Sequence, residues 1–193
     1  MLTKLRPIAK KFVGLPARTL ASANVHPNLL TIIGLILSLF VPLVTYYLGP
    51  VIASILILLS AYFDVLDGEV ARISGKKSLF GAFLDSTTDR IEDALYSISF
   101  IFVGSPSLVV ITLIISSYLI SYTRARAEAL GVKMEGIGVI ERAERIILIT
   151  VALAISSINI YISIMTLILL IGLSIVTIIQ RVVYVYRILG RSP

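Results

Sequence analysis

Asp64, Asp67, Gly68, Ala71, Arg72, Gly81, Asp85 and Asp89 stand at fixed intervals in this chain, spaced D-x2-D-G-x2-A-R-x8-G-x3-D-x3-D. Carboxylates three or four residues apart share one face of a helix. Their oxygens are hard donors, suited to Mg2+, Mn2+ or Ca2+. Two such cations a few ångströms apart can clamp a diphosphate and stabilise its departing half. The chain has no cysteine and one histidine, His26, so thiolate and histidine-rich zinc chemistry are excluded. The carboxylate set therefore points to metal-assisted chemistry on a phosphate-bearing substrate.

The elements that position these residues are apolar. The 193 residues are 58% hydrophobic, with a mean hydropathy of +1.01, far beyond what a soluble core needs. The fold class expected is an all-α integral membrane protein. Stretches of spanning length lie at Asn28–Leu48, Val51–Arg72, Leu79–Val103, Ser107–Glu128, Gly138–Ser157 and Ile160–Tyr186, separated by turn-type residues. All 17 basic and 11 acidic residues fall at the termini or around the second and fourth loops. The other three turns carry none. Six spans satisfy this segregation, and five or seven break it. The positive-inside rule then puts both termini and the carboxylates on the cytoplasmic side of the cell membrane. By the same rule the net charge of +6 reflects topology, and no nucleic-acid partner is expected. Residues 1–25 mix apolar residues with Lys4, Arg6, Lys10, Lys11 and Arg18, unlike a cleavable signal peptide. Leu2 to Leu20 is expected to lie along the interface as an amphipathic helix, ahead of one six-helix domain over 26–193.

Asp64 and Asp67 fall at the cytoplasmic end of the second span, and Asp85 and Asp89 at the start of the third. The turn from Ser74 to Ser78 is short, so the two helices should be antiparallel neighbours with facing carboxylate pairs. Gly68 and Gly81 remove side chains beside the acids, allowing close packing or close approach of a ligand. Arg72, Lys76, Lys77 and Ser78 are placed to meet phosphate oxygens. The competing structural reading has the acids in ion pairs with Arg72 and Arg90, fixing helix packing alone. Glu69, Glu92 and Asp93 lie outside the frame and read as surface charge or as support for the ligands. A second polar cluster comprises Ser121, Arg124, Arg126 and Glu128, then Glu141-Arg142-Ala143-Glu144-Arg145, then Arg181. Arginines from three segments would form an anion pocket. Arg181 follows an uncharged run from Ile146 to Gln180, and such a charge needs a partner.

The eight-residue frame resembles the signature of the CDP-alcohol phosphatidyltransferase family at every specified position. The resemblance implies a six-helix membrane enzyme, usually a homodimer. It would use two Mg2+ or Mn2+ ions to transfer a phosphatidyl-type group from a CDP-linked lipid to an alcohol, releasing CMP. Asp64, Asp67, Asp85 and Asp89 then look like metal ligands, and Asp89 like the base that deprotonates the acceptor hydroxyl. Gly68, Ala71, Arg72 and Ser78 look like part of the CDP-lipid surface, joined by Asn28, Leu29, Leu30 and Thr31. The stretches Ser121 to Glu128 and Glu141 to Arg145 resemble the phosphatidylinositol phosphate synthase branch and its archaetidylinositol phosphate counterparts. That branch implies inositol 1-phosphate as acceptor, held by Ser121, Arg124, Arg126, Arg145 and Arg181. The donor lipid, CDP-diacylglycerol or CDP-archaeol, stays open.

Two other readings of the acceptor and the class stand beside this one. Glycerol 3-phosphate would use the same kind of anion pocket. A divalent-cation transporter would also gather carboxylates in a bundle, but with polar residues continuing toward the far side of the membrane. This sequence has no charge beyond the cytoplasmic half.

Overall fold

A computed structural model of the chain describes the backbone of residues 6–190 and side chains from Val13 onward. The expected interfacial helix is described from Arg6 on. Its first residues, with Lys4, lie outside the described part, as does Arg191. Among the described residues seven α-helices follow in order: α1 Arg6–Ser22, α2 Pro27–Leu48, α3 Pro50–Ile73, α4 Leu79–Ile98, α5 Ser107–Ala129, α6 Arg142–Ser156 and α7 Ile160–Leu189. A 3-10 turn, Ser99–Ile101, extends α4.

Local sequence sets the ends of these helices. His26 is the N-cap of α2, in extended backbone, and its ring nitrogen accepts the Asn28 N–H at 3.3 Å. Pro27 follows in the first turn, where its missing N–H costs nothing. Ser78 caps α4 by accepting the Gly81 N–H at 2.9 Å. Glu141 and Glu144 form a reciprocal capping box at the start of α6. The span expected from Gly138 therefore becomes helical only at Arg142. Gly138 has φ +124°, outside helical space, and the Ile140 N–H is taken by Thr177 Oγ1 at 3.2 Å. Residues 138–141 thus dock on α7 as a loop.

α2 packs on α3 and α4, while α5 and α6 pack on α7, and α6 also closes on α3. The direct α3–α4 pairing expected from the short turn does not form; α2 offers the apolar surface on which both helices pack. The main apolar core runs through Val41, Ile57, Tyr96, Phe100, Leu113, Ile149, Leu153 and Leu170. α1 leans on α3, burying Val13 and Ala17 with Leu30, Leu66 and Val70.

Among the described residues four helices, α2, α3, α5 and α7, are long and apolar enough to cross a membrane. The chain is a multi-pass helical membrane protein. Two of the expected spans fall short by themselves for visible reasons. α4 carries Asp85, Asp89, Arg90, Glu92 and Asp93, and α6 has only 15 residues. The carboxylate frame sits on α3 and α4, with Thr31 at the start of α2 and Arg142 and Arg145 at the start of α6.

Candidate active site

α3 and α4 bring the two aspartate pairs toward one another beneath α2. Asp67 is buried at the end of α3 and accepts a hydrogen bond from the Thr31 hydroxyl of α2. The charged groups acting on Asp67 are Asp85 and Asp64. Those acting on Asp85 are Arg142, Asp64 and Arg90. Asp89 is paired with its neighbour Arg90 at 3.0 Å. Carboxylate oxygens of Asp64, Asp89 and Glu92 lie within 4.8 Å of one another.

The guanidinium of Arg142, the first residue of α6, sits among these acids. Its Nη1 and Nη2 both donate to Asp64 Oδ2 at 3.0 Å, and Nη2 donates to Glu92 Oε2 at 2.7 Å. Nη1 also lies 2.8 Å from Asp89 Oδ1, and Nε 3.5 Å from Asp93 Oδ1. One turn on, Arg145 is buried and donates to Asp93 Oδ2 at 2.8 Å. Glu92 and Asp93, which the spacing leaves outside the frame, are therefore wholly buried members of the cluster. Buried charges persist only when paired. Six carboxylates here (Asp64, Asp67, Asp85, Asp89, Glu92, Asp93) face three guanidiniums (Arg90, Arg142, Arg145), an excess of three negative charges with all ionised. Glu92 Oε1 and Asp89 Oδ1 are buried with no hydrogen-bond partner. An all-oxygen, under-neutralised set of this kind fits a divalent cation.

Beside the carboxylates, a cavity of about 230 Å³ opens between the starts of α2 and α4 and the end of α3. Its wall includes Asn28, Thr31, Asp67, Gly68, Ala71, Lys76, Lys77, Ser78, Gly81 and Asp85. The two glycines of the frame do different work. Space around Gly68 is open, so its bare Cα leaves room in the cavity. At Gly81 a Cβ would come within 3.0 Å of Ser78 Oγ and 3.2 Å of Asn28 Oδ1, so that position serves close packing of α4 on α2. A third, Gly34 in α2, has no place in the spacing pattern. A Cβ there would lie 2.8 Å from Asp64 Oδ1.

The expected nucleotide strip divides by helical period. Asn28 and Thr31 face the cavity, Leu29 is half exposed, and Leu30 is buried against α1 and α3. Arg72 turns to Glu69 and is not part of the cavity wall; its side chain is half exposed. Among the second cluster, Arg124 pairs with Glu128 at 2.9 Å at the surface, and Arg126 is exposed in the last turn of α5. Ser121 is half-buried one turn before Arg124. Arg181 is buried, with Nε donating to the Ile137 carbonyl at 3.0 Å and Nη1 to the Ile120 carbonyl. The charges acting on it are Arg124 and Arg145, of like sign, and Glu141 and Glu128. The like charges of Arg124 and Arg145 bear on Arg181, and an anion held among them would relieve that repulsion.

Residues 24–187 match the CDP-alcohol phosphatidyltransferase family. The chain belongs to that family. The archaetidylinositol phosphate synthase of Pyrococcus horikoshii is 40% identical over 94% of this chain and 95% of its own. The phosphatidylinositol phosphate synthase of Corynebacterium glutamicum is 37% identical, over 92% and 83%. The crystal structure of the Mycobacterium tuberculosis phosphatidylinositol phosphate synthase with CDP-DAG bound superposes with a TM-score of 0.79 at 29% identity, covering 91% of this chain and 94% of that one. A second structure of that synthase, in complex with manganese and citrate, gives 0.77 at 30% identity, over 88% and 87%. This chain is thus a phospholipid-synthesis transferase of the membrane. Sequence spacing alone does not reveal Arg142, Glu92 or Gly34 as parts of its centre. The one available signal was the three-residue interval from Asp89 to Glu92, which puts both on one face of α4.

Proposed function

We propose that the enzyme transfers a diacylglycerol or archaeol phosphate group from a CDP-linked lipid to a hydroxyl of inositol 1-phosphate, giving the lipid inositol phosphate and CMP. The observation that carries this reading is that Asp67 and Asp85 belong both to the cavity wall and to the carboxylate set. A diphosphate lodged against Asn28, Thr31, Gly68, Lys76 and Lys77 would therefore meet the metal-binding oxygens directly. Lys76 is positioned by Asn24, whose side-chain and main-chain oxygens it reaches at 2.5 and 3.2 Å.

Asp64, Asp67, Asp85 and Asp89 would hold two Mg2+ or Mn2+ ions, which neutralise the diphosphate and make CMP a better leaving group. The acceptor oxygen attacks the lipid-bearing phosphorus, and the bond from that phosphorus to the CMP oxygen breaks, with CMP leaving on the electron pair. Asp89 takes the hydroxyl proton. The like charges of Arg124 and Arg145 bearing on Arg181, beside Ser121 and Arg126, support recognition of the acceptor phosphate. The names of the similar synthases support inositol phosphate over glycerol 3-phosphate. The charge segregation supports six spans with α1 on the cytoplasmic face of the cell membrane. The family resemblance supports a homodimer.

The test is CMP release by the purified protein with Mg2+ or Mn2+, CDP-archaeol or CDP-diacylglycerol, and a panel of acceptors. Inositol 1-phosphate should be preferred and chelation should stop turnover. Asp89→Asn should slow the reaction by about 10²-fold or more. A preference for glycerol 3-phosphate refutes the acceptor, and full activity of Asp89→Asn refutes the base.

A further inference from the structure

Arg142 is the residue that the proposed reaction leaves without a role. It is also the residue with the most acidic contacts among those described. Its guanidinium reaches Asp64 from α3 and Asp89, Glu92 and Asp93 from α4. The oxygens it occupies on Asp64, Asp89 and Glu92 belong to the three side chains whose spacing suits a cation. A guanidinium and a divalent cation cannot both take the same lone pairs at full strength, because like charges at such short range repel strongly.

Two features separate Arg142 from an ordinary buried ion pair. Its contacts are many but poorly matched. Nε is buried with no hydrogen-bond partner and lies 3.5 Å from Asp93 Oδ1. Asp89 Oδ1 meets Nη1 at 2.8 Å and yet has no hydrogen bond of acceptable geometry. Charge holds this side chain, not a fitted fork. Arg142 also retains a way out. Its side chain is 21% exposed, against 2% for Arg145 one turn along the same helix. Arg145 is locked onto Asp93, whereas Arg142 borders the open side of the cluster.

We propose that Arg142 is the resident counter-ion of the carboxylate cage: it holds Asp64, Asp89 and Glu92 together in the cation-free protein and competes with the divalent cation for their oxygens. Arg142 is thus a positioning residue that tunes cation affinity. It keeps the acids from repelling one another before loading, and it makes loading reversible. This rests on the reading of Asp64 and Asp89 as cation ligands.

Mn2+ binding to the purified full-length protein, followed by the electron paramagnetic resonance signal of free Mn2+, tests it without turnover. Arg142→Gln should lower the Mn2+ dissociation constant by about tenfold or more, since the competing charge is gone. Arg142→Lys, which keeps the charge, should stay within about threefold of the wild type. Circular dichroism of the same samples reports folding. An Arg142→Gln protein that unfolds without metal and regains its helicity with Mn2+ supports the counter-ion role. One that Mn2+ does not restore makes Arg142 a fixed structural post and overturns it. Unchanged or weakened Mn2+ binding in folded Arg142→Gln overturns this inference alone. Wild-type protein that binds no Mn2+ overturns the ligand reading and the inference together.

Discussion

Replacing Gly34 by alanine should damage the reaction more than the fold. A Cβ at this position would lie 2.8 Å from Asp64 Oδ1, 3.4 Å from the Ser60 carbonyl and 3.5 Å from Glu92 Oε1. Comfortable contacts to carbon begin at about 3.5 Å, so Asp64 must retreat by roughly 0.7 Å. α2 cannot give way in its place. The Ser60 hydroxyl donates to the Gly34 carbonyl at 2.7 Å and in turn accepts from the Tyr96 hydroxyl at 2.9 Å, pinning α2, α3 and α4 together. Two opposing effects act on stability. Alanine in a helix interior gains about 1 kcal/mol over glycine, while overpacking costs about 1–3 kcal/mol. The net loss should stay within about 2 kcal/mol. Displacing a cation-binding carboxylate by a large fraction of an ångström should lower the rate by roughly 10–100-fold. The chain has no tryptophan and no cysteine, so unfolding is followed by far-UV circular dichroism and turnover by CMP release. A folded Gly34→Ala protein with full activity and unaltered metal dependence would refute the argument that the missing Cβ at position 34 sets the position of Asp64.

Two further substitutions separate roles within the centre. Thr31→Val keeps the shape of the side chain but removes the hydroxyl that donates to Asp67; metal affinity should fall by about 10-fold or more, with Thr31→Ser near the wild type, and equal behaviour of the two variants would dismiss the hydrogen bond. Arg124→Ala should raise the acceptor KM far more than the CDP-lipid KM, and an equal rise in both counts against the anion pocket. Arg124 is the clean probe because its surface pair with Glu128 contributes only about 0.5 kcal/mol. Arg145→Ala, by contrast, leaves buried Asp93 with only the 3.5 Å contact from Arg142, and should cost about 3–5 kcal/mol of stability.

How much of this was legible depends on whether a signal was local. The pairing of Asp64 with Asp67 and of Asp85 with Asp89 on shared helix faces is written in one 26-residue stretch, but the short turn does not make α3 and α4 pack on each other, since both lie against α2. Helix starts at His26 and Ser78 were equally local. Helical period also separates Asn28 and Thr31 from Leu29 and Leu30, a distinction that treating the strip as a unit conceals. Arg142 is another matter, since it lies 78 residues from Asp64 and enters the cage only because α6 closes on α3. Its neighbour Arg145 looks identical in sequence but is buried against Asp93. Gly34 carries no signal at all, because what makes it necessary is a side chain on another helix. Arg181 announced that it needed a partner, but not that the partners would be backbone carbonyls.

The five ionisable residues of α4 also bear on how the protein is made. Each such side chain adds roughly 2.5–3.5 kcal/mol to the cost of placing a helix centrally in a bilayer, and α4 is not among the helices apolar enough to cross alone. α2 and α3 receive α4 through Gly34 and Ser60, and the charge that offsets its acids, Arg142, arrives only with α6. Loss of the Arg142 charge should therefore lower the amount of protein recovered in the membrane.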